Sequence, residues 1–312
     1  MRRIVKKSRK HTAEDRRSEE GYTKSMAKQS STTNLQCLQV WGGTEAADQA
    51  LAMTGLDGYL YAKPHQGAKR GGDVYYLSSC ASGRITRVLL ADVAGHGSHV
   101  AETAQDLRSL MQYYVNFTSQ SKFMQAMNQK FGEIVDDGRF ATTVAMSFSA
   151  PNRKLSLSNA GHPPPMWYRA SEKQWQILGI DPDDNVSQPS ADLPFGIQTD
   201  AGYQQTDITF KPGDMLFMYT DALIESRRSD GKQVGVRGLR DQLNQLTSED
   251  PSGIIPALIR HLEEEDAHDL NDDDVTALLI SANGTKHDWR KMLTAPVNAI
   301  RGMLRGQPVG PG

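Results

Sequence analysis

Apolar and polar residues alternate with a period of two in several stretches, and this periodicity predicts strands. In Thr142–Ser149, for example, Thr142, Val144, Met146 and Phe148 alternate with Thr143, Ala145, Ser147 and Ser149. Leu155-Ser156-Leu157-Ser158 repeats the alternation across the turn Pro151-Asn152-Arg153, so the two runs read as a hairpin. Further strands are expected over 58–61, 74–78, 85–92, 154–158, 165–168, 175–180, 203–210, 214–219 and 275–281. Helical spacing replaces alternation in four places. Val100, Ala104, Leu107, Met111 and Tyr114 recur three or four residues apart, as do Phe123, Met127, Phe131 and Ile134. Helices are also expected over 236–246 and 254–264. Strands cluster and helices come in pairs, which points to an α+β fold with sheets covered by helix pairs rather than a doubly wound parallel sheet. No internal repeat of fixed period is present.

Charge changes the picture at the ends. Residues 1–30 carry ten Lys/Arg against four Asp/Glu, a net +6, leaving −8 for the rest of a chain whose total is −2. Residues 1–34 read as a basic, disordered tail, with Ser25–Thr33 a polar linker. The body is expected over 35–285. Over 286–312, Trp289, Leu293, Val297, Ile300 and Leu304 recur at helical spacing among Arg290, Lys291, Arg301 and Arg305, before a Gly/Pro-rich end. This segment reads as a helix docked on the body, with a membrane-surface or partner-binding helix as the alternatives. No aromatics interleave the N-terminal basic residues, so no nucleic-acid partner is expected. No apolar run approaches the roughly 18 residues a membrane span needs. Two cysteines, Cys37 and Cys80, build neither a disulfide framework nor a four-cysteine zinc site, and the chain is read as cytoplasmic.

The candidate chemistry lies in aspartates at strand ends. Asp73 precedes Val74-Tyr75-Tyr76, Asp92 closes Arg87-Val88-Leu89-Leu90-Ala91, Asp221 follows Met215–Thr220, and Asp272-Asp273-Asp274 opens the last strand. A charge at the edge of a buried strand is costly unless paired. Four such positions without obvious basic partners suggest a shared cation, and oxygen-only donors select magnesium or manganese over zinc. Any one of them alone reads as a strand-end cap. They lie about 20, 130 and 50 residues apart, so only a fold can unite them.

Six segments in order then make the sequence recognisable: Gly71-Gly72-Asp73; Asp92-Val93-Ala94-Gly95-His96-Gly97; Phe140-Ala141-Thr142-Thr143; Asn159-Ala160-Gly161-His162-Pro163-Pro164; Gly213-Asp214 with Tyr219-Thr220-Asp221-Ala222; and Asp273-Asp274-Val275-Thr276. Together they resemble the metal-dependent, type 2C-like (PPM) serine/threonine phosphatases, in the bacterial SpoIIE-like branch. The resemblance implies a four-layer αββα sandwich of two antiparallel sheets flanked by helix pairs. It implies two Mn²⁺ or Mg²⁺ ions held by Asp73, Asp92, the Val93 carbonyl, Asp221 and Asp273, with Asp92 the bridging ligand. Asp273 is preferred over Asp274 because the family's ligand opens the Asp-Asp-x-Thr motif. Ala222 departs from the family's usual glycine, and Glu225 keeps a downstream acid.

The implied activity is hydrolysis of phosphoserine or phosphothreonine on a regulatory protein by a hydroxide bridging the two metals. Asp92 and His96 are the catalytic candidates, with His96 as a possible proton donor; both His96 and His162 read first as turn residues. Lys69 and Arg70 read as surface charge. The expected partner is a phosphorylated protein, an anti-sigma antagonist or a Ser/Thr kinase target. The alternative is a catalytically inactive domain that acts as a binding module. Other chemistries lack their residues. Thr86 stands six residues after Cys80, where a cysteine phosphatase needs Arg, and there is no Walker loop, no Gly-x-Ser-x-Gly and no His-Glu-x-x-His.

Overall fold

A computed structural model describes residues 32–34, 39–80, 84–94, 98–115, 117, 119–135, 138–179, 192–246, 250–265, 270 and 273–284. The expected C-terminal helix, the tail over 1–31, Asp272 and His96 lie outside the described residues.

The strands form two sheets. The first runs β1 (Thr33–Asn34), β3 (Ala47–Met53), β4 (Leu56–Lys63), β13 (Val275–Ala282), β12 (Met215–Tyr219), β9 (Met166–Arg169), β10 (Gln174–Ile177) in spatial order. The second runs β11 (Thr206–Thr209), β8 (Lys154–Ala160), β7 (Ala141–Ser149), β6 (Ile85–Val93), β5 (Asp73–Cys80), β2 (Gln39–Gly43). All pairings are antiparallel except β1 with β3. The predicted hairpin is present, with Ser149 opposite Lys154 and Arg153 at φ 54° in the turn.

Three apolar layers hold the sheets and helices together. Leu60, Leu77, Val88, Leu90, Val144, Met146, Leu216, Met218, Leu278 and Ile280 fill the space between the sheets. Helices α1 (Ser98–Tyr114) and α2 (Gln120–Ile134) cover the second sheet, with Ala104, Leu107, Met111, Phe123, Met127 and Phe131 against Val74, Leu89 and Ala91. A one-turn helix α3 (Ala222–Glu225) and helices α4 (Gly235–Gln245) and α5 (Pro251–Glu265) cover the first, where Leu239, Leu258 and Leu262 meet Phe217 and Leu279. The result is the α+β, αββα sandwich expected from the sequence. β6 and β13 lie inside it with both faces covered, which is why their sequences are almost continuously apolar. The Ser119 hydroxyl starts α2 by accepting the Lys122 N–H at 3.3 Å.

Several elements depart from the expectation, the short strand β1 and the one-turn helix α3 among them. β2 and β3 were not foreseen: Ala47-Asp48-Gln49-Ala50-Leu51-Ala52-Met53 is rich in helix formers, and only its pairing with β4 makes it a strand. Helix α5 starts at Pro251, three residues earlier than the apolar spacing indicates, with proline at the first helical position.

Candidate active site

Strand parity aims the acids at one place. In β5 and β6, Tyr75 and Leu77, Val88 and Leu90 face the other sheet. Asp73 and Asp92 share that parity and stand directly opposite one another in the ladder, so both carboxylates project into the same end of the inter-sheet space. From the first sheet, Asp221 follows β12 and Asp273-Asp274 precede β13. These strands are neighbours, with Tyr219 opposite Ala277 and the Thr220 N–H bonded to the Thr276 carbonyl at 3.0 Å. The two acid pairs therefore meet across the sandwich. The Thr220 hydroxyl joins the sheets directly: it donates to Asp73 Oδ2 at 2.8 Å and accepts the Thr276 N–H at 3.0 Å.

Burial and mutual repulsion dominate the electrostatics. Burial first, then the Asp92 charge, pushes the Asp73 carboxyl well above the ordinary carboxylate range, with the Thr276 and Thr220 hydroxyls pulling the other way. Asp92 is pushed up to about 7 by burial and then by Asp221, Asp273 and Asp274. Asp221 is raised by burial, Asp273 and Glu225. No basic side chain is among these causes. Arg70 is half-exposed and pairs with Glu45 at 3.4 Å. Thr220→Val is expected to cost about 1–3 kcal/mol in denaturant unfolding, because a buried carboxyl and the Thr276 amide both lose their partner, while Thr220→Ser stays near the parent value.

The adjacent acids Asp273 and Asp274 differ sharply. Asp274 accepts the N–H of Gly72 at 2.5 Å and of His65 at 2.6 Å, tying the loop before Asp73 to the start of β13. A Cβ on Gly71 would lie 2.5 Å from this carboxylate, so glycine is required there for the close approach. Asp273 is exposed, and its Oδ1 accepts the Asp274 N–H at 2.7 Å. Asp274 thus holds two distant backbone amides, whereas Asp273 bonds its sequence neighbour's amide. The Ala222 departure from glycine is accommodated: Ala222 begins helix α3 and its φ is not positive, while Asp221 sits at φ −63°, ψ −26°.

His162 is buried behind the acids. Its Nδ1 lies 2.9 Å from the Thr142 hydroxyl, and Thr142 stands opposite Asp92 in the β6–β7 ladder. Burial lowers its pKa to about 3, with the Tyr219 backbone opposing weakly, so the ring is neutral. Sequence reading missed the positions of Thr142, Thr220 and Thr276 around the acids. Their parity with Asp92 and Asp73 along alternating strands was the available signal.

The donor set suits a hard divalent cation. Its oxygens are carboxylates clustered against their own repulsion. Among the described residues, no group of three or more His, Cys, Asp or Glu side chains closes around a single metal position.

This architecture is that of PP2C-type phosphatase domains. The chain belongs to the Stage II sporulation protein E (SpoIIE) family, whose profile matches residues 82–283. It is 22% identical over 179 residues to the phosphoserine phosphatase RsbP of Bacillus subtilis, covering 56% of this chain and 40% of that protein. It therefore spans less than half of this curated relative's length. The phosphatase domain of SpoIIE from Bacillus subtilis, solved with a fragment of its regulatory domain, superposes with a TM-score of 0.60 at 15% identity, over 79% of this chain and 64% of that one. RsbX in complex with magnesium gives a TM-score of 0.55 at 16% identity, over 75% and 99%. No helix among the described residues is long and apolar enough to cross a membrane.

Proposed function

We propose that the chain is a metal-dependent phosphatase acting on phosphoserine or phosphothreonine of a regulatory protein, an anti-sigma antagonist or a Ser/Thr kinase target. The observation that carries this reading is the meeting of Asp73 and Asp92 from one sheet with Asp221 and Asp273 from the other, in a SpoIIE-family fold. Asp73, Asp92, the Val93 carbonyl, Asp221 and Asp273 would hold two Mn²⁺ or Mg²⁺ ions. When bound, the cations supply Lewis-acid charge against the phosphate and an activated water as nucleophile.

The protein's own residues divide the remaining work. Asp92 faces Asp73 on its own sheet and feels Asp221 and Asp273 from the other, which suits it to join the two metal positions. Thr220 fixes the Asp73 carboxyl, and Asp274 holds the Gly72 backbone against β13. The leaving serine or threonine oxygen needs a proton. His162, neutral down to about pH 3 and buried, is not suited to give it. His96, four residues beyond Asp92, is the candidate donor.

The test is hydrolysis of p-nitrophenyl phosphate and of a phosphoserine peptide. Turnover is expected with added Mn²⁺ or Mg²⁺ and none after chelation. The melting temperature is expected to rise with Mn²⁺ by the equivalent of about 2.7 kcal/mol at one hundred times the dissociation constant. A folded protein that binds no divalent cation by calorimetry would instead support a partner-binding module.

A further inference from the structure

A cleft of about 460 Å³ lies at the β2 edge of the second sheet. Resting on the phosphatase reading, we propose that this cleft takes an extended, acidic segment of the phosphoprotein substrate, laid along β2 with a carboxylate on Arg108 while the phosphorylated residue reaches the acids. β2 is the last strand of its sheet. It pairs with β5 on one side and has no strand on the other among the described residues, so that side can receive an added strand. The cleft runs between Gln105 and Arg108 of α1 and Ala47 and Gln49 of β3. Tyr75 packs toward the other sheet, and Tyr76 packs toward α1, where its hydroxyl donates to the Ala104 carbonyl at 3.3 Å. Both line the cleft, as a position at the sheet's edge allows. Gly42 and Gly43 leave β2 bare for two residues. A Cβ on Gly42, at φ 141°, would collide with the Tyr75 carbonyl, so glycine is required there. A Cβ on Gly43 would meet nothing nearer than 3.9 Å, so the space beside it is open to another chain.

The cleft is continuous with the candidate active site. Thr44, Glu45 and Tyr75 line it and also line the recess that contains Asp73 and Asp274. The Gly71 N–H donates to the Thr44 carbonyl at 2.9 Å, and the Tyr75 hydroxyl donates to the Glu45 carbonyl at 2.9 Å. The turn after β2 is therefore tied to the loop that delivers Asp73.

Charge selects the occupant. Arg70 and Glu45 offset one another as an exposed pair at 3.4 Å. Arg108 is exposed, its guanidinium stands 6.0 Å from the Tyr76 ring centroid, and it has no acid partner among the described residues. A guanidinium seated on an aromatic face keeps its N–H fork available to a carboxylate. The ends of this chain do not match. Residues 1–30 carry a net +6, and residues 286–312 hold five Lys/Arg against one Asp, so like charge opposes either of them in the cleft.

The experiment compares phosphoserine peptides of equal length whose flanks carry either Glu or Lys, hydrolysed by the full chain with Mn²⁺ at low salt. The parent is expected to favour the Glu-flanked peptide by about fivefold in kcat/KM, through KM. The preference should shrink at about 0.5 M salt, as an exposed ion pair does. Arg108→Glu changes an exposed helix position, and a thermal melt checks that it folds. It is expected to abolish or invert the preference, while Arg108→Lys, which keeps the charge and loses the fork, retains part of it. Equal KM for the two peptides in the parent, a parent preference for Lys flanks, or a Glu preference that survives in Arg108→Glu overturns the cleft and leaves the phosphatase reading standing. A parent that hydrolyses neither peptide nor p-nitrophenyl phosphate overturns the phosphatase reading and the cleft with it.

Discussion

Replacing Asp92 by Asn is expected to cut phosphate-ester hydrolysis by about a thousandfold, some 4 kcal/mol of transition-state stabilisation, while raising the melting temperature of the metal-free protein. Asn fits the same space opposite Asp73 in the β5–β6 ladder, so the backbone has no reason to shift. It loses the charge that a bridging ligand must supply. It also loses the repulsion from Asp221, Asp273 and Asp274 that, after burial, pushes the Asp92 carboxyl up to about 7. In the metal-free protein the folded chain holds this proton more tightly than the unfolded chain does. The resulting stabilisation of the parent is complete below the unfolded value of about 4 and is lost as pH rises through about 7. The stability advantage of the Asn variant should therefore grow between about pH 4 and pH 7 and then level off. Kinetics with Mn²⁺ and melts after chelation measure the two effects separately. Full activity in Asp92→Asn would remove Asp92 from the site.

Stability and function are opposed at this cluster. The interior between the sheets is apolar for most of its length, from Leu155 and Leu216 to Val88 and Leu278, and becomes acidic only at the end where Asp73 and Asp92 stand. That end carries charges that destabilise the fold in isolation and that only a counter-charge can offset. The inter-sheet tie at Thr220 is found at this same end.

Much of this was legible along the chain because period-two alternation states which face a residue occupies. The strand β7 could be read from Thr142 to Ser149 almost to its boundary, and the same parity places Thr142 on the face of Val144 and Met146. The continuous apolar runs of β6 and β13 marked interior strands. What the sequence hid was whatever depended on a partner. β3 reads as a helix former until β4 pairs with it, and the exposed edge strand β11 covers only Thr206–Thr209 of the 203–210 stretch expected. Within the site, the strand-end acids were visible as costly charges. The difference between Asp273 and Asp274 was not, because it is made by the amides of His65 and Gly72, some two hundred residues away.

That difference carries the second large effect. Asp274→Ala is expected to cost about 3 kcal/mol in denaturant unfolding, since two partly buried backbone amides lose a carboxylate acceptor and each orphaned donor is worth roughly 1–3 kcal/mol. The loss falls on the loop that delivers Asp73: Gly71 packs its backbone against the Asp274 carboxylate and Gly72 bonds it at 2.5 Å. Protease sensitivity over residues 64–72 should rise together with the loss of stability. Asp274→Asn keeps one acceptor oxygen and should fall between Ala and the parent. Asp273→Asn should behave in the opposite way. Its carboxylate is exposed and, among the described residues, bonds the neighbouring Asp274 amide, so stability stays close to the parent while Mn²⁺-dependent turnover falls. If Asp273→Asn keeps full turnover and Asp274→Ala keeps full stability, the two acids have been assigned the wrong way round, and the metal-facing oxygen before β13 is that of Asp274.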